Sequence, residues 1–170
     1  MLKISLDKLD RMFAAIAENH VLYLPVDTKV GAAYQKWDET KKLSDALNTV
    51  RSAKDFFFPQ TENLVEFKVE GKNIDIIDTR SECEDFVVFG VRACDVKSFE
   101  VLDRVFLAEP CDSYYKNRRE HGVIMSLACT KPAETCFCGT FGIDAKEPDG
   151  DVVCWKTDDA LYMNAVSEKG

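Results

Sequence analysis

The sequence predicts an α/β fold, with a mixed α+β arrangement as the alternative: a central sheet, flanking helices and a cysteine-rich loop. Three observations carry that expectation. Asp85-Phe-Val-Val-Phe-Gly-Val-Arg92 holds five apolar residues in a near-continuous run, the pattern of a central strand buried on both faces. Gly122-Val-Ile-Met-Ser-Leu-Ala128 is a second run of the same kind. Between them Val96, Phe99, Val101, Leu102, Val105 and Phe106 fall at helical spacing, through about Leu107. Strand, helix and strand in that order read as a βαβ-like unit. In a parallel pair both C-terminal ends lie on one edge. The first strand runs directly into Cys94 and the second into Cys129, so the two thiols are expected to face each other there.

The remaining elements follow in chain order. Leu6, Leu9, Met12, Phe13 and Ile16 predict a helix over residues 5–18, with Ser5 or Asp7 as its N-cap. His20 to Val26 reads as a strand, paired with Gly31 to Trp37 across a turn at Asp27–Lys29. His20, at the helix–strand junction, reads as a cap or surface residue. Residues 40–50 fit a short helix or an irregular connection equally well. Phe56-Phe57-Phe58-Pro59 reads as an extended segment buried on both faces, in preference to an anchor for another subunit, because large exposed patches are rare on monomers. Leu64–Val69 and Ile74–Ile77 form a hairpin around Glu70-Gly71-Lys72. Asp112 to Arg119 reads as a short helix with Tyr114, Tyr115, Arg118 and Arg119. Asp151–Trp155 and Leu161–Val166 read as a second hairpin, turning at Thr157–Ala160. No repeat, low-complexity segment or linker divides the chain, so residues 1–170 are expected to form a single domain.

Composition narrows the function classes. A net charge of −8 with no basic stripe argues against nucleic acid as a partner. The longest apolar run is far short of a membrane span, and charges interrupt the N-terminal residues, so neither a membrane span nor a signal peptide is expected. A soluble, cytoplasmic chain is the expectation. Seven cysteines are many for such a protein, and without a secretion signal metal or redox chemistry is the favoured use over disulfides.

The thiols concentrate in Cys129-Thr-Lys-Pro-Ala-Glu-Thr-Cys136-Phe-Cys138-Gly-Thr-Phe-Gly142. Side chains two apart on a helix diverge by about 200°, so Cys136 and Cys138 serve one object only on an extended or turning backbone. Pro132 upstream and Gly139 and Gly142 downstream keep the segment irregular. Cys94, placed where a helix begins, brings a fourth thiol, and the electropositive helix terminus is expected to lower its pKa. Four thiolates suit a tetrahedral zinc or a [4Fe–4S] cluster. Zinc sites use short C-x₂₋₄-C knuckles, whereas these thiols are spaced widely and irregularly. A [4Fe–4S] cluster on Cys94, Cys129, Cys136 and Cys138 is therefore the favoured reading, with [2Fe–2S] and a zinc-stabilised interaction module as alternatives. A dithiol oxidoreductase fits less well, for no C-x-x-C opens a helix. Arg92, two residues before Cys94, is a candidate for tuning a negatively charged cluster, and Arg118 and Arg119 are weighed beside it. Cys83, Cys111 and Cys154 read as structural, Cys111 least securely because it follows a proline.

Four segments carry a resemblance: Ser52-Ala-Lys-Asp-Phe-Phe-Phe-Pro-Gln-Thr-Glu62, Phe89-Gly-Val-Arg-Ala-Cys-Asp95, Asp112-Ser-Tyr-Tyr-Lys-Asn-Arg-Arg-Glu120 and Cys129-x₆-Cys136-Phe-Cys138. Together they resemble the N-terminal domain of the iron–sulfur electron-transfer subunits of anaerobic complexes. That family includes the beta subunit of sulfhydrogenase-type NiFe hydrogenases and an iron–sulfur subunit of anaerobic sulfite reductase. The resemblance implies a non-catalytic subunit that relays electrons between a flavin-containing diaphorase partner and a catalytic subunit. It also implies a hetero-oligomer with flavin- and iron–sulfur-containing redox subunits. Family members usually carry proline where Ala93 stands here, and they normally continue into a ferredoxin-like region with two further [4Fe–4S] clusters; that region is not expected within residues 1–170, being either supplied by another polypeptide or absent from a stand-alone or truncated module.

Overall fold

The computed structural model describes residues 1–170, the side chains of Ser81 and Glu82 excepted. Nine strands and three α-helices alternate along the chain. β1 (Leu2–Ser5), a 3-10 turn (Leu6–Lys8) and α1 (Leu9–Ala17) lead into β2 (Val21–Thr28) and β3 (Gly31–Lys36). A 3-10 helix (Ala53–Phe56), β4 (Val65–Glu70), β5 (Asn73–Asp78) and a further 3-10 turn (Thr79–Glu82) precede β6 (Phe86–Val91). α2 (Ala93–Phe106) and α3 (Ser113–His121) then connect to β7 (Gly122–Leu127). A 3-10 turn (Cys138–Phe141), β8 (Val152–Lys156) and β9 (Ala160–Ala165) complete the order.

Seven strands form one mixed sheet in the order β1-β9-β8-β7-β6-β2-β3. Its centre is parallel, with β2 beside β6, β6 beside β7 and β7 beside β8. Antiparallel strands close both sides, β3 on β2 and β9 with β1 beyond β8. The run read as a central strand is one: all six residues of β6 are buried. Parallel β6 and β7, bridged by α2 and α3, confirm the βαβ-like unit.

Each face of the sheet carries a core. On one, Leu9 and Phe13 of α1 pack on Leu22, Leu24, Val87 and Phe89, with the Phe13 and Phe89 rings edge to face at 5.1 Å. On the other, Phe86, Val88 and Val91 meet Phe57, Phe99 and Tyr115. Phe57 is fully buried, its ring 4.8 Å from Phe99 and 5.3 Å from Phe86. Gly122 makes that packing possible, because a Cβ there would stand 2.3 Å from Cε1 of Phe57.

The phenylalanine triplet is core, but not as an extended segment. Ser52 caps a 3-10 turn by accepting a hydrogen bond from the Lys54 amide, and this winds Phe56 and Phe57 inward while Phe58 stays 46% exposed. Residues 40–50 settle as an irregular connection, tied to the sheet by the Ser44 amide donating to the Pro25 carbonyl at 2.8 Å and by a bridge from Thr49 to Ala32. The hairpin of β4 and β5 forms as expected, yet stands apart as a two-stranded sheet of its own. No helix is long and apolar enough to cross a membrane among the described residues.

Candidate metal centre at the carboxyl edge of the parallel strands

β6 runs into α2 within a single residue. Arg92 is the helix N-cap in an extended conformation, and its carbonyl accepts the amides of Asp95 at 2.9 Å and Val96 at 3.0 Å. Cys94 therefore stands in the first turn of α2, exposed. β7 ends beside it in the sheet and delivers Cys129, whose amide donates to the Ala145 carbonyl at 2.7 Å. Both thiols leave the same edge, as the parallel pairing requires.

The connection from β7 to parallel β8 holds no α-helix, and this stretch carries Cys136 and Cys138. Its only regular piece is the 3-10 turn opened by Cys138 and closed by Gly142 in the left-handed conformation (φ 64°). The turn is tied by the Ile143 amide donating to the Cys138 carbonyl at 3.0 Å. The Ala133 amide donates to the Cys136 sulfur at 3.3 Å, a backbone contact of the kind that holds thiolates in metal loops.

The charges of these cysteines bear on one another pairwise: Cys138 and Cys129 on Cys94, and Cys138 and Cys136 on Cys129. The Cys94 thiol is pushed up from its ordinary value, first by burial and then by the charges of Asp95, Cys138 and Cys129, against the Asp95 amide. The expected lowering at the helix terminus is thus overturned: surrounding protein and the Asp95 carboxylate outweigh the backbone dipoles. Cys129 is also raised, chiefly by burial, while the charge of Arg92 opposes the shift and Cys138 and Cys136 add to it. Among the described residues no three His, Cys, Asp or Glu side chains are gathered as a single metal ion needs. Four soft donors without a carboxylate or imidazole among them are a ligand set suited to iron–sulfur chemistry or zinc. His121 lies elsewhere, its Nδ1 2.7 Å from Asp85 at the opposite end of β6.

The chain is 28% identical, over 169 residues, to the protein named sulfhydrogenase 2 subunit beta of Pyrococcus furiosus. That match covers 99% of the chain and 49% of the relative, so the chain spans about half the length of the curated relative it matches. No family profile and no solved structure matches the chain.

Arg92 lies at the centre of the edge. Its Nε donates to the Leu47 carbonyl at 2.9 Å, Nη2 to Ala46 at 3.2 Å, and Nη1 to Leu127 and Ala128 at 3.3 Å each. One guanidinium thus holds the irregular 46–47 segment against the end of β7, directly before Cys129. Arg118 is placed differently. It pairs with Glu62 at 2.6 Å on α3, whose end leads into the start of β7, away from Cys129. Arg119 is half-buried, bonded to Asp103 at 2.9 Å and stacked on the Phe57 ring at 5.2 Å. Cys154 is fully buried in the core.

Two features of the edge escape a reading of residue types. Asp95 accepts a hydrogen bond from the Ser52 hydroxyl at 2.7 Å and sits 3.5 Å from the Lys54 ammonium, docking the 52–56 turn onto the start of α2. The signal was the presence of both segments among the matched motifs, not any spacing between them. Phe137 and Phe141 flank Cys138 with rings 5.6 Å apart and stand 64% and 66% exposed.

Proposed function

We propose that this chain is an electron-transfer module of a hydrogenase-type redox complex, a single domain over residues 1–170 holding one [4Fe–4S] cluster on Cys94, Cys129, Cys136 and Cys138. One observation supports the reading most: parallel β6 and β7 end side by side where Cys94 and Cys129 follow them, and Cys136 and Cys138 lie in the connection that leaves the same edge. The similarity to a protein named as a sulfhydrogenase beta subunit supports the same reading.

When bound, the cluster supplies reversible one-electron transfer. The protein's own contribution is position and charge. Arg92 holds the segment that ends in Cys129 and sets a cation beside that sulfur, which favours the thiolate. Asp95 and Ser52 fix the turn that carries Cys94. The Ala133 amide steadies Cys136. Phe137 and Phe141 offer an apolar contact beside Cys138 for a redox partner. In this reading the chain works in a hetero-oligomer, between a flavin-containing diaphorase partner and a catalytic subunit, and carries no acid–base catalytic residue of its own.

Metal analysis of anaerobically purified protein tests the proposal. It expects a brown protein with about four iron and four acid-labile sulfide per chain. Single replacements Cys94→Ser, Cys129→Ser, Cys136→Ser and Cys138→Ser each degrade the cluster, because a hydroxyl is a poor soft ligand. Cys83→Ser leaves iron content unchanged. A colourless protein with one tightly held zinc overturns the assignment.

A further inference from the structure

The four thiols are held to the fold in two different ways. Cys94, Cys129 and Cys138 share one connected set of backbone and side-chain bonds that reaches the sheet. Arg92 is the N-cap of the turn that carries Cys94, and its guanidinium donates to the Leu127 and Ala128 carbonyls, directly before Cys129. The Cys129 amide donates to the Ala145 carbonyl at 2.7 Å. Two residues upstream of Ala145, the Ile143 amide donates to the Cys138 carbonyl at 3.0 Å. One residue downstream, the Lys146 carbonyl accepts the Trp155 indole N–H at 2.8 Å, which ties this returning limb to β8. The Lys146 amide closes the limb on the Asp144 carboxylate, also at 2.8 Å.

Cys136 has no such tie. Its amide donates to the Ala133 carbonyl at 3.0 Å, and its sulfur accepts the Ala133 amide at 3.3 Å. Both bonds close a turn over residues 133–136 on itself. Among the described residues, 130–137 make hydrogen bonds only to one another and to Thr140. Every residue of the 133–136 turn except Ala133 is exposed. Cys94 is exposed too, but it is built into the first turn of α2. Backbone bonded only within an exposed turn opens at a free energy near zero, whereas backbone bonded into a sheet opens with the fold.

We propose that the site consists of three fixed thiols and one hinged thiol, so that Cys136 is the ligand given up first and the site interconverts between four-iron and three-iron occupancy. The inference rests on the assignment of a [4Fe–4S] cluster to these cysteines and adds which of its irons is labile. A one-electron oxidant takes one electron from the [4Fe–4S]²⁺ core. Fe²⁺ then leaves as its bonds to the Cys136 sulfur and to three sulfides break, and a [3Fe–4S]⁺ core stays on Cys94, Cys129 and Cys138. The freed Cys136 thiolate takes a proton from water. Fe²⁺ and one electron from a reductant restore the original core, and the proton returns to water.

Oxidation of the anaerobically purified full chain with ferricyanide, followed by EPR and metal analysis, tests the proposal. About one iron per chain is lost with sulfide retained, a paramagnetic three-iron signal appears, and ferrous iron with dithionite reverses both. Cys136→Ser is purified with about three iron and four sulfide per chain, whereas Cys94→Ser, Cys129→Ser and Cys138→Ser lose most of both. In the iron-free full chain, hydrogen exchange at the Cys129 and Ile143 amides is about tenfold or more slower than at the Cys136 amide. Equal exchange at the three amides overturns the inference and leaves the cluster assignment standing. So does a Cys138→Ser protein that keeps three iron while Cys136→Ser keeps none, or a wild-type cluster that passes from four iron to none without the three-iron signal. A colourless wild-type protein overturns both.

Discussion

Replacing Arg92 separates two things that one side chain does at the carboxyl edge: it clamps the backbone and it supplies a positive charge. Its guanidinium makes four hydrogen bonds to carbonyls, the shortest at 2.9 Å to Leu47 and the longest at 3.3 Å to Leu127 and Ala128. A bond from a charged donor contributes about 1.5–3 kcal/mol net, but the long pair share one nitrogen and the Ala46 contact is exposed. Counting the Leu47 bond in full and the others in part, Arg92→Ala should cost about 2–4 kcal/mol. Lysine keeps the charge but presents one nitrogen instead of a planar fork, so Arg92→Lys should recover less than half of that loss. Urea unfolding followed by tryptophan fluorescence measures both variants. Iron-loaded and iron-free protein are compared separately, because a bound cofactor breaks two-state behaviour. The reduction potential of the proposed cluster reads the other role: it should fall in Arg92→Ala, which loses a nearby cation, and stay near the parent value in Arg92→Lys. An Arg92→Ala protein within about 0.5 kcal/mol of the parent refutes the clamp. Full recovery of stability by lysine shows that charge, not fork geometry, does the holding.

Two further substitutions test the packing. Gly122→Ala has no backbone cost, since φ is −89°, but its Cβ would lie 2.3 Å from Cε1 of Phe57 and 2.7 Å from Cζ of Phe86. Those rings are confined by Phe99 and Arg119, so overpacking outweighs the entropic gain and the denaturation midpoint should fall by the equivalent of about 2–3 kcal/mol; a neutral or stabilised variant contradicts this. Burial pushes the Cys154 thiol up to about 12. The folded state thus favours the neutral thiol, and the resulting stability is complete below the ordinary thiol range and lost as pH rises towards 12. Cys154→Val should flatten the alkaline fall in stability by about 1.4 kcal/mol per pH unit. Tyr34 and Tyr115, also raised chiefly by burial, remain in both proteins and cancel in the comparison. Equal slopes would show that Cys154 ionises freely in the fold.

Much of the sheet was legible because its strands announce themselves by local pattern. β6 is a continuous apolar run between a charged start and Arg92, and α2 follows with apolar residues at helical spacing. Cys94 and Cys129 could be placed on one edge from that strand–helix–strand order alone. What stayed hidden depends on tertiary partners. β1 exists because Leu2 to Ser5 pair with Met163 to Ala160, although Leu2 itself is 69% exposed and nothing in its neighbours spells a strand. The phenylalanine triplet curls into a 3-10 turn because the Ser52 hydroxyl caps it, a local hydrogen bond that apolar content does not predict. β8 beside parallel β7 was equally hidden, since parallel neighbours normally announce themselves by a helix between them and this crossover has none. Arg118 and Arg92 look alike as residues, and only their partners, Glu62 in one case and four carbonyls in the other, tell them apart.

The geometry of the edge begins one step earlier, inside β6. Phe86 and Val88 face the α2 side of the sheet while Val87 and Phe89 face α1, yet Val91 returns to the α2 side. An uninterrupted strand alternates, so one residue must be absorbed between Phe89 and Val91. The pairing shows where: Phe89 lies opposite Met125 and Val91 opposite the very next residue, Ser126. Gly90 is the absorbed residue, with φ at 82°, a conformation that side chains rarely tolerate, and with Pro25 atoms 3.2 Å from where a Cβ would stand. The bulge keeps Val91 in the core and turns Arg92 to the other side, towards the carbonyls of Leu47, Leu127 and Ala128. Without it, alternation would leave Val91 on the α1 side and aim Arg92 at the α2 core, away from the carbonyls of Leu47, Leu127 and Ala128. A single glycine two residues before the helix N-cap therefore decides whether the two thiol-bearing strand ends can be tied together.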